Sequence, residues 1–136
     1  MKKKIILAAL GLTMLTGCSS DDDSTDNSGI GGRWHVVKVE SAWTASDYSF
    51  DKGTITWTFG NNGEVKIVND AVLPAEAGVH SGPPSGTYDY TVGPWENVCD
   101  EALTIDDDNY GCMVFADDTL KVSTSPVDGP IYSLIR

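Results

Sequence analysis

Histidine is nearly missing from this chain of 136 residues, which has only His35 and His80. No His-x-His or Cys-x-x-Cys spacing occurs, so no metal-ligating set can be named and no cofactor is expected. A Gly-x-Ser-x-Gly elbow and a phosphate-cradling glycine loop are also lacking, so the chain reads as a non-enzyme with no catalytic residues. Asp106-Asp107-Asp108-Asn109 offers hard oxygens, and Asp47 and Asp51 fall at the same end of the expected fold. Calcium needs six to eight oxygens, and the run lacks EF-hand spacing, so a solvated turn is the simpler reading. Basic residues are scarce as well. Nine Lys and Arg face twenty Asp and Glu, a formal charge of −11, which argues against nucleic acid and anionic membrane surfaces as partners. Helical periodicity is absent, apart from one possible turn at residues 74–78, and no long apolar run follows residue 15.

What the chain does have begins at its first residues. Lys2, Lys3 and Lys4 precede an apolar run over residues 5–15, interrupted only by Gly11 and Thr13. This is the pattern of a secretory signal, too short in its apolar part to span a bilayer comfortably. Leu15-Thr16-Gly17-Cys18 resembles a bacterial lipobox. The resemblance implies cleavage before Cys18, acylation of that cysteine with palmitate-like chains, and a membrane-anchored lipoprotein. Residues 1–17 are then the signal peptide and residues 18–30 an acidic tether, too polar to offset its own ordering entropy. Ser20-Asp21-Asp22-Asp23 resembles the acidic export signal of surface lipoproteins in some Gram-negative lineages. That likeness implies an outer-membrane lipoprotein on the cell surface; a solvated spacer on an inward-facing lipoprotein is the plainer alternative.

Cys99 and Cys112 remain, in a compartment where a disulfide is the default. Register opposes the pairing. Folding the hairpin about Asp107 and Asp108 sets Leu103 opposite Cys112, which leaves Cys99 about four residues beyond direct reach. Only a backward curl of residues 98–101 would bring the two together, so compartment and register point opposite ways.

Residues 31–136 read as strands almost throughout. Thr54-Ile55-Thr56-Trp57-Thr58-Phe59 alternates without error, and Asn61-Asn62-Gly63 supplies a tight turn before Glu64-Val65-Lys66-Ile67-Val68. The same reading finds strands at 33–41, 87–92, 102–105, 110–116, 119–123 and 131–136. The expected fold is all-β: eight antiparallel strands in an up-and-down barrel, closed so that no edge is left to recruit other chains, and monomeric. The longest links, residues 42–53 and 69–86, fall at one end. They make a decorated mouth opposite a plain base.

Gly32-Arg33-Trp34 resembles the Gly-x-Trp motif that opens the first strand of lipocalins. In that family a basic residue near the barrel's end packs across the tryptophan, which gives Arg136 that role here. The family's Thr-Asp-Tyr motif is replaced by Asp117-Asp118-Thr119, so the chain is lipocalin-like. The resemblance implies a small hydrophobic or amphiphilic ligand held in the mouth. Trp43, Tyr48 and Phe50 on the first long link, with Trp57, Tyr88 and Tyr90 on the walls, are the candidate contacts. Aromatics at period two are also ordinary core, and those of the link could equally fold back as a plug. A second function stays open: a surface domain contacting another protein, as an accessory subunit or enzyme inhibitor, around a filled barrel. Since the tether enters at the base, the mouth is expected to point away from the membrane.

Overall fold

The structure, a computed structural model, describes residues 29–41, 46–74, 80–124 and 129–136. The signal peptide, Cys18, the tether up to residue 28, Trp43 and most of the 74–78 turn lie outside the described residues. The strands are β1 (Gly32–Ser41), β2 (Asp47–Ser49), β3 (Ile55–Phe59), β4 (Glu64–Asn69), β5 (Gly86–Trp95), β6 (Cys99–Ile105), β7 (Asp108–Ala116), β8 (Thr119–Ser123) and β9 (Pro130–Ile135). Every pairing is antiparallel between sequence neighbours, except that β1 pairs with β3 beyond β2 and also with β9. The β1–β9 ladder closes the ring. The fold is therefore an all-β, eight-stranded, lipocalin-like barrel with one extra strand.

That extra strand is the main departure from expectation. Residues 42–53 are not a simple loop, because β2 pairs with the upper half of β1, Val39 opposite Tyr48, while β3 pairs with the lower half, Trp34 opposite Trp57. Together β2 and β3 flank one edge of β1, interrupted by residues 50–54. Backbone bonds from Phe50 N to Val37 O (2.8 Å) and Thr54 N to Asp51 O (3.1 Å) hold the interruption.

Alternation decides which residues enter the core. Ile55, Trp57 and Phe59 of β3, Val65 and Ile67 of β4, and Leu120 and Val122 of β8 point inward and are buried. Three register shifts move the inward face elsewhere. In β1 the shift lies between Val36 and Lys38, so the buried positions run Trp34, Val36, then Val39. In β5 it lies between Gly93 and Trp95 and takes in Pro94, which is why that strand runs on past residue 92 despite a proline. The third lies between β6 and β7. There Ile105 pairs with Asp108, which makes Asp106-Asp107 a two-residue turn with both φ values positive, at 51° and 68°. The hairpin thus folds one residue earlier than expected. Gly111, φ 108°, takes up the shift, and a Cβ there would meet the carbonyl oxygen of Ser123.

The disulfide follows from this register. Cys112 faces Ala102, so Cys99 is three residues from its level, and the β6–β7 ladder ends there. Beyond it the chain curls, and the two cysteines are bonded with Cα atoms 6.1 Å apart.

At the base, Trp34 is almost fully buried and donates from Nε1 to the Ile30 carbonyl at 2.7 Å. The guanidinium carbon of Arg136 lies 3.9 Å from the centre of the Trp34 ring. Its nitrogens donate to Gly31 O at 2.6 Å and Gly29 O at 3.1 Å. Phe115 packs beside the same indole, with ring centres 6.1 Å apart. One charged side chain thus ties the last strand to the entry of the first.

Candidate functional site

The mouth is governed by the link between β4 and β5, and that link is organised by Asn69. The two N–H groups of Asn69 Nδ2 serve three acceptors, Pro83 O (3.0 Å) and the Ser81 pair Oγ (3.1 Å) and O (3.3 Å), which share one hydrogen, and Asn69 Oδ1 accepts from Ala71 N (3.1 Å). Its backbone N–H donates to Ser85 Oγ at 2.8 Å. An amide has two donors and two acceptor lone pairs, so one residue can fasten both limbs of the link. The link is drawn over the barrel in consequence. Ala71 and Leu73 pack against the core, Pro83 is buried, and Tyr88 Oη donates to Pro84 O at 2.7 Å.

Gly82 makes the closest approach. With φ at 101°, it lies where a Cβ would be 3.3 Å from Trp57 Cζ2 and 3.6 Å from Tyr132 Cε1. A residue without a side chain allows the backbone to rest directly on these rings. Beneath it, Trp57 packs against Tyr132 at 5.5 Å, against Tyr110 at 5.9 Å in an edge-on contact, and against Phe59 at 6.3 Å between ring centres. Burial, helped by Asp108, pushes the Tyr110 phenol up to about 12, and burial raises that of Tyr132 further. Both phenols are therefore neutral at physiological pH. The Trp57 Nε1–H is buried and has no hydrogen-bond partner among the described residues.

The interior is occupied by the wall's own side chains. Val36, Val39, Ile55, Trp57, Val65, Leu103, Leu120, Val122 and Leu134 all have 0% exposure. A side chain lining a cavity roomy enough for water would keep some accessible surface, and these keep none. An outer groove lined by Asp89, Tyr90, Thr91, Thr104, Asp106 and Asp107 has a volume of about 90 Å³. That is far below the roughly 300 Å³ at which small-molecule pockets begin.

The candidate contacts are not gathered in one place. Trp57 and Tyr88 meet the β4–β5 link. Tyr90 packs edge-on against Phe59 at 4.9 Å and donates to Gly60 O at 2.7 Å, in the turn at the base. Tyr48 and Phe50 are half-buried against the core, whereas His80 is exposed. Sequence reasoning overlooked Tyr110, Tyr132, Asn69 and Gly82. Alternation with the buried Leu134 could have marked Tyr132 as core, whereas Tyr110 stands at the register shift of β7 and nothing local marked it, Asn69 or Gly82. Asp47 lies 3.3 Å from Lys38 Nζ, and among the described residues no group of three acidic, histidine or cysteine side chains is placed to hold a metal ion.

Fold and site define a small closed antiparallel barrel with a packed interior and a covered mouth. Comparison with protein-family models, with curated proteins and with solved structures returned no match.

Proposed function

We propose that this protein is a lipid-anchored, surface-displayed binding module whose solid barrel serves as a scaffold and whose recognition takes place on its outside. The observation that supports this reading is the packing of Trp57 and eight aliphatic wall residues, none of which has any exposed surface. The anchor and address rest on Leu15-Thr16-Gly17-Cys18 and the acidic run that follows. Native mass spectrometry of the protein purified from its own membrane tests the central point. The expected mass is that of the acylated chain alone, and a co-purifying small molecule would overturn the scaffold reading. Cys18→Ala is expected to abolish fatty-acid labelling, and replacing Asp21, Asp22 and Asp23 by alanine is expected to abolish external protease shaving of intact cells.

One observation favours the other reading, a small ligand in the mouth. The unpartnered Trp57 Nε1–H under Gly82 would be satisfied by a ligand oxygen if the link lifted, and leaving it unpaired costs about 1–3 kcal/mol. Acrylamide quenching of Trp57 fluorescence that is relieved by added small amphiphiles is the result this second reading expects.

A further inference from the structure

We propose that the outer face of β5, β6 and β7, towards the base, is a docking face for a basic amphipathic peptide segment, one whose apolar side chains are flanked by lysine or arginine. The inference rests on the preceding reading only in placing recognition outside the barrel. It begins with an aromatic residue that the core does not use. Trp34 and Trp57 are buried, whereas Trp95 is half-buried, stands outside the core cluster and makes no ring-to-ring contact among the described residues.

Register places it on the outer surface. Leu103 and Ile105 fill the interior, so Ala102, and Gly93 opposite it, face outward. Trp95 stands two residues beyond Gly93 and keeps that face. Cys99 is its cross-strand partner, because Asp100 and Glu101 bulge together opposite Pro94. The disulfide then joins Cys99 to Cys112, the outward partner of Ala102, with Cα atoms 6.1 Å apart. Val114 follows Cys112 by two residues, about 7 Å further along the same face. At 60% exposure it is the most exposed large apolar residue on any described strand. Trp95, the disulfide and Val114 thus form an apolar strip across three strands, with Val98, also exposed, in the turn after Trp95. The free edge of β5 is not the attraction. Its ladder with β4 ends at Asp89, Tyr90 N donates to Gly63 O, and the next groups on that edge belong to Val92 and Pro94. Pro94 has no N–H, so an added strand would lack a donor there.

Charge identifies the partner. Between Lys66 and Lys121 the chain has no lysine or arginine, so β5, β6 and β7 carry no cation. Glu96, Asp100 and Glu101 are exposed beside Trp95 and Cys99, and Asp117 and Asp118 are exposed in the turn that follows β7. Among the described residues none of the five is in an ion pair. Lys121, opposite Val114 on β8, is the cation that borders the strip, so acidic groups outnumber basic ones around it. An apolar strip with an indole at one end and carboxylates around it matches a partner of the complementary build. Apolar side chains cover Val114 and the disulfide, a lysine or arginine stacks on Trp95, and its neighbours meet the carboxylates. From Trp95 to Val114 the strip runs about 15–20 Å. That suits about three turns of a single helix, not the roughly 800 Å² per partner of a standard protein interface.

Fluorescence anisotropy tests this, with the full-length protein titrated into a fluorescein-labelled amphipathic helix of lysine and leucine. Nonionic detergent is held constant, and empty micelles serve as the blank. The same residues in shuffled order, a glutamate–leucine counterpart and poly-L-lysine are the controls. The lysine–leucine helix is expected to bind, more weakly as salt rises, and the glutamate peptide is not. Trp95→Ser with Val114→Ser should weaken binding about tenfold or more. Val114→Ser alone, at an exposed position, should weaken it about threefold. It keeps the test open should the double variant fail to fold, which near-ultraviolet circular dichroism reports. Removing three charges as Glu96→Gln, Asp100→Asn and Glu101→Gln should weaken binding several-fold and flatten its salt dependence. Removing three others as Asp106→Asn, Asp107→Asn and Asp108→Asn, about 20 Å or more from Val114 along β7, should leave it unchanged because salt screens that distance. Equal losses in the two triple variants would reduce the effect to net charge and overturn the proposal. So would poly-L-lysine or the shuffled peptide bound as tightly as the amphipathic helix, or no binding in low salt. A Trp95-dependent dimer in sedimentation equilibrium, without peptide binding, would reassign the face to a second copy of the chain. A small molecule retained in native mass spectrometry bears on the scaffold reading alone and leaves this face untouched.

Discussion

Gly32→Ala should cost far more than a surface glycine ordinarily does, and the cost should depend on a residue at the other end of the chain. Gly32 has φ at 99°, and an alanine Cβ would sit 2.8 Å from Arg136 Nη1. The first effect is backbone strain, about 1–2 kcal/mol for a side chain in that region. The second is displacement of the guanidinium, which gives up its bonds to Gly31 O and Gly29 O and its stacking on Trp34. A partly exposed charged hydrogen bond and a cation–π contact together contribute about 1–3 kcal/mol. The two effects separate in a double-mutant cycle. With Arg136 intact, Gly32→Ala should destabilise by about 2–5 kcal/mol, and in an Arg136→Ala background only the strain, about 1–2 kcal/mol, should remain. Urea unfolding followed by tryptophan fluorescence supplies the four stabilities. Additivity within about 0.5 kcal/mol would refute the argument, because the glycine would then answer to its own backbone and not to Arg136.

Asn69→Ala removes the side-chain hydrogen bonds that join Ser81, Pro83 and Ala71 in the mouth link. It should cost about 2–3 kcal/mol while red-shifting tryptophan emission as Trp57 becomes wet; an unchanged spectrum would mean the link stays shut without Asn69. Gly111→Ala forces a Cβ into the β8 backbone and should cost about 3 kcal/mol or more, or abolish folding, as judged by circular dichroism. Alkali should unfold the domain earlier than its net charge alone would. Tyr110 and Tyr132 are held protonated by burial, so their contribution is intact below the unfolded tyrosine value near 10 and is lost as pH rises through the folded values, about 12 for Tyr110. Tyr132→Phe should flatten that decline in pH-dependent urea titrations. Reducing the Cys99–Cys112 bond, which spans 13 residues of sequence, should lower stability by about 3 kcal/mol.

Local pattern was enough wherever a decision concerned neighbours in sequence. The unbroken alternation of Thr54 to Phe59 dictates a strand and names its buried face, because successive side chains leave a pleated backbone on opposite sides. Asn61-Asn62-Gly63 dictates the next turn, and Gly63 takes φ 82° there. Eight strands joined mostly by short links make a closed barrel the economical arrangement, since closure is what removes exposed edges. Other features needed the ring to form first. Whether Cys99 could reach Cys112 depended on a register shift centred on Gly111. That shift answers to the Ser123 carbonyl, twelve residues away in sequence but against the same backbone in space. The pairing of β2 with β1 turned half of an apparent loop into wall. Gly82 came to rest on Trp57 because Asn69 tied down a link whose own residues carry no fixed pattern. Arg33 and Lys66, far apart in sequence, flank Thr58 only through strand register. Sequence determines propensity and alternation because these are local. Register, bulges and lids are set by which distant atoms the closed barrel brings into contact, and only the tertiary structure decides that.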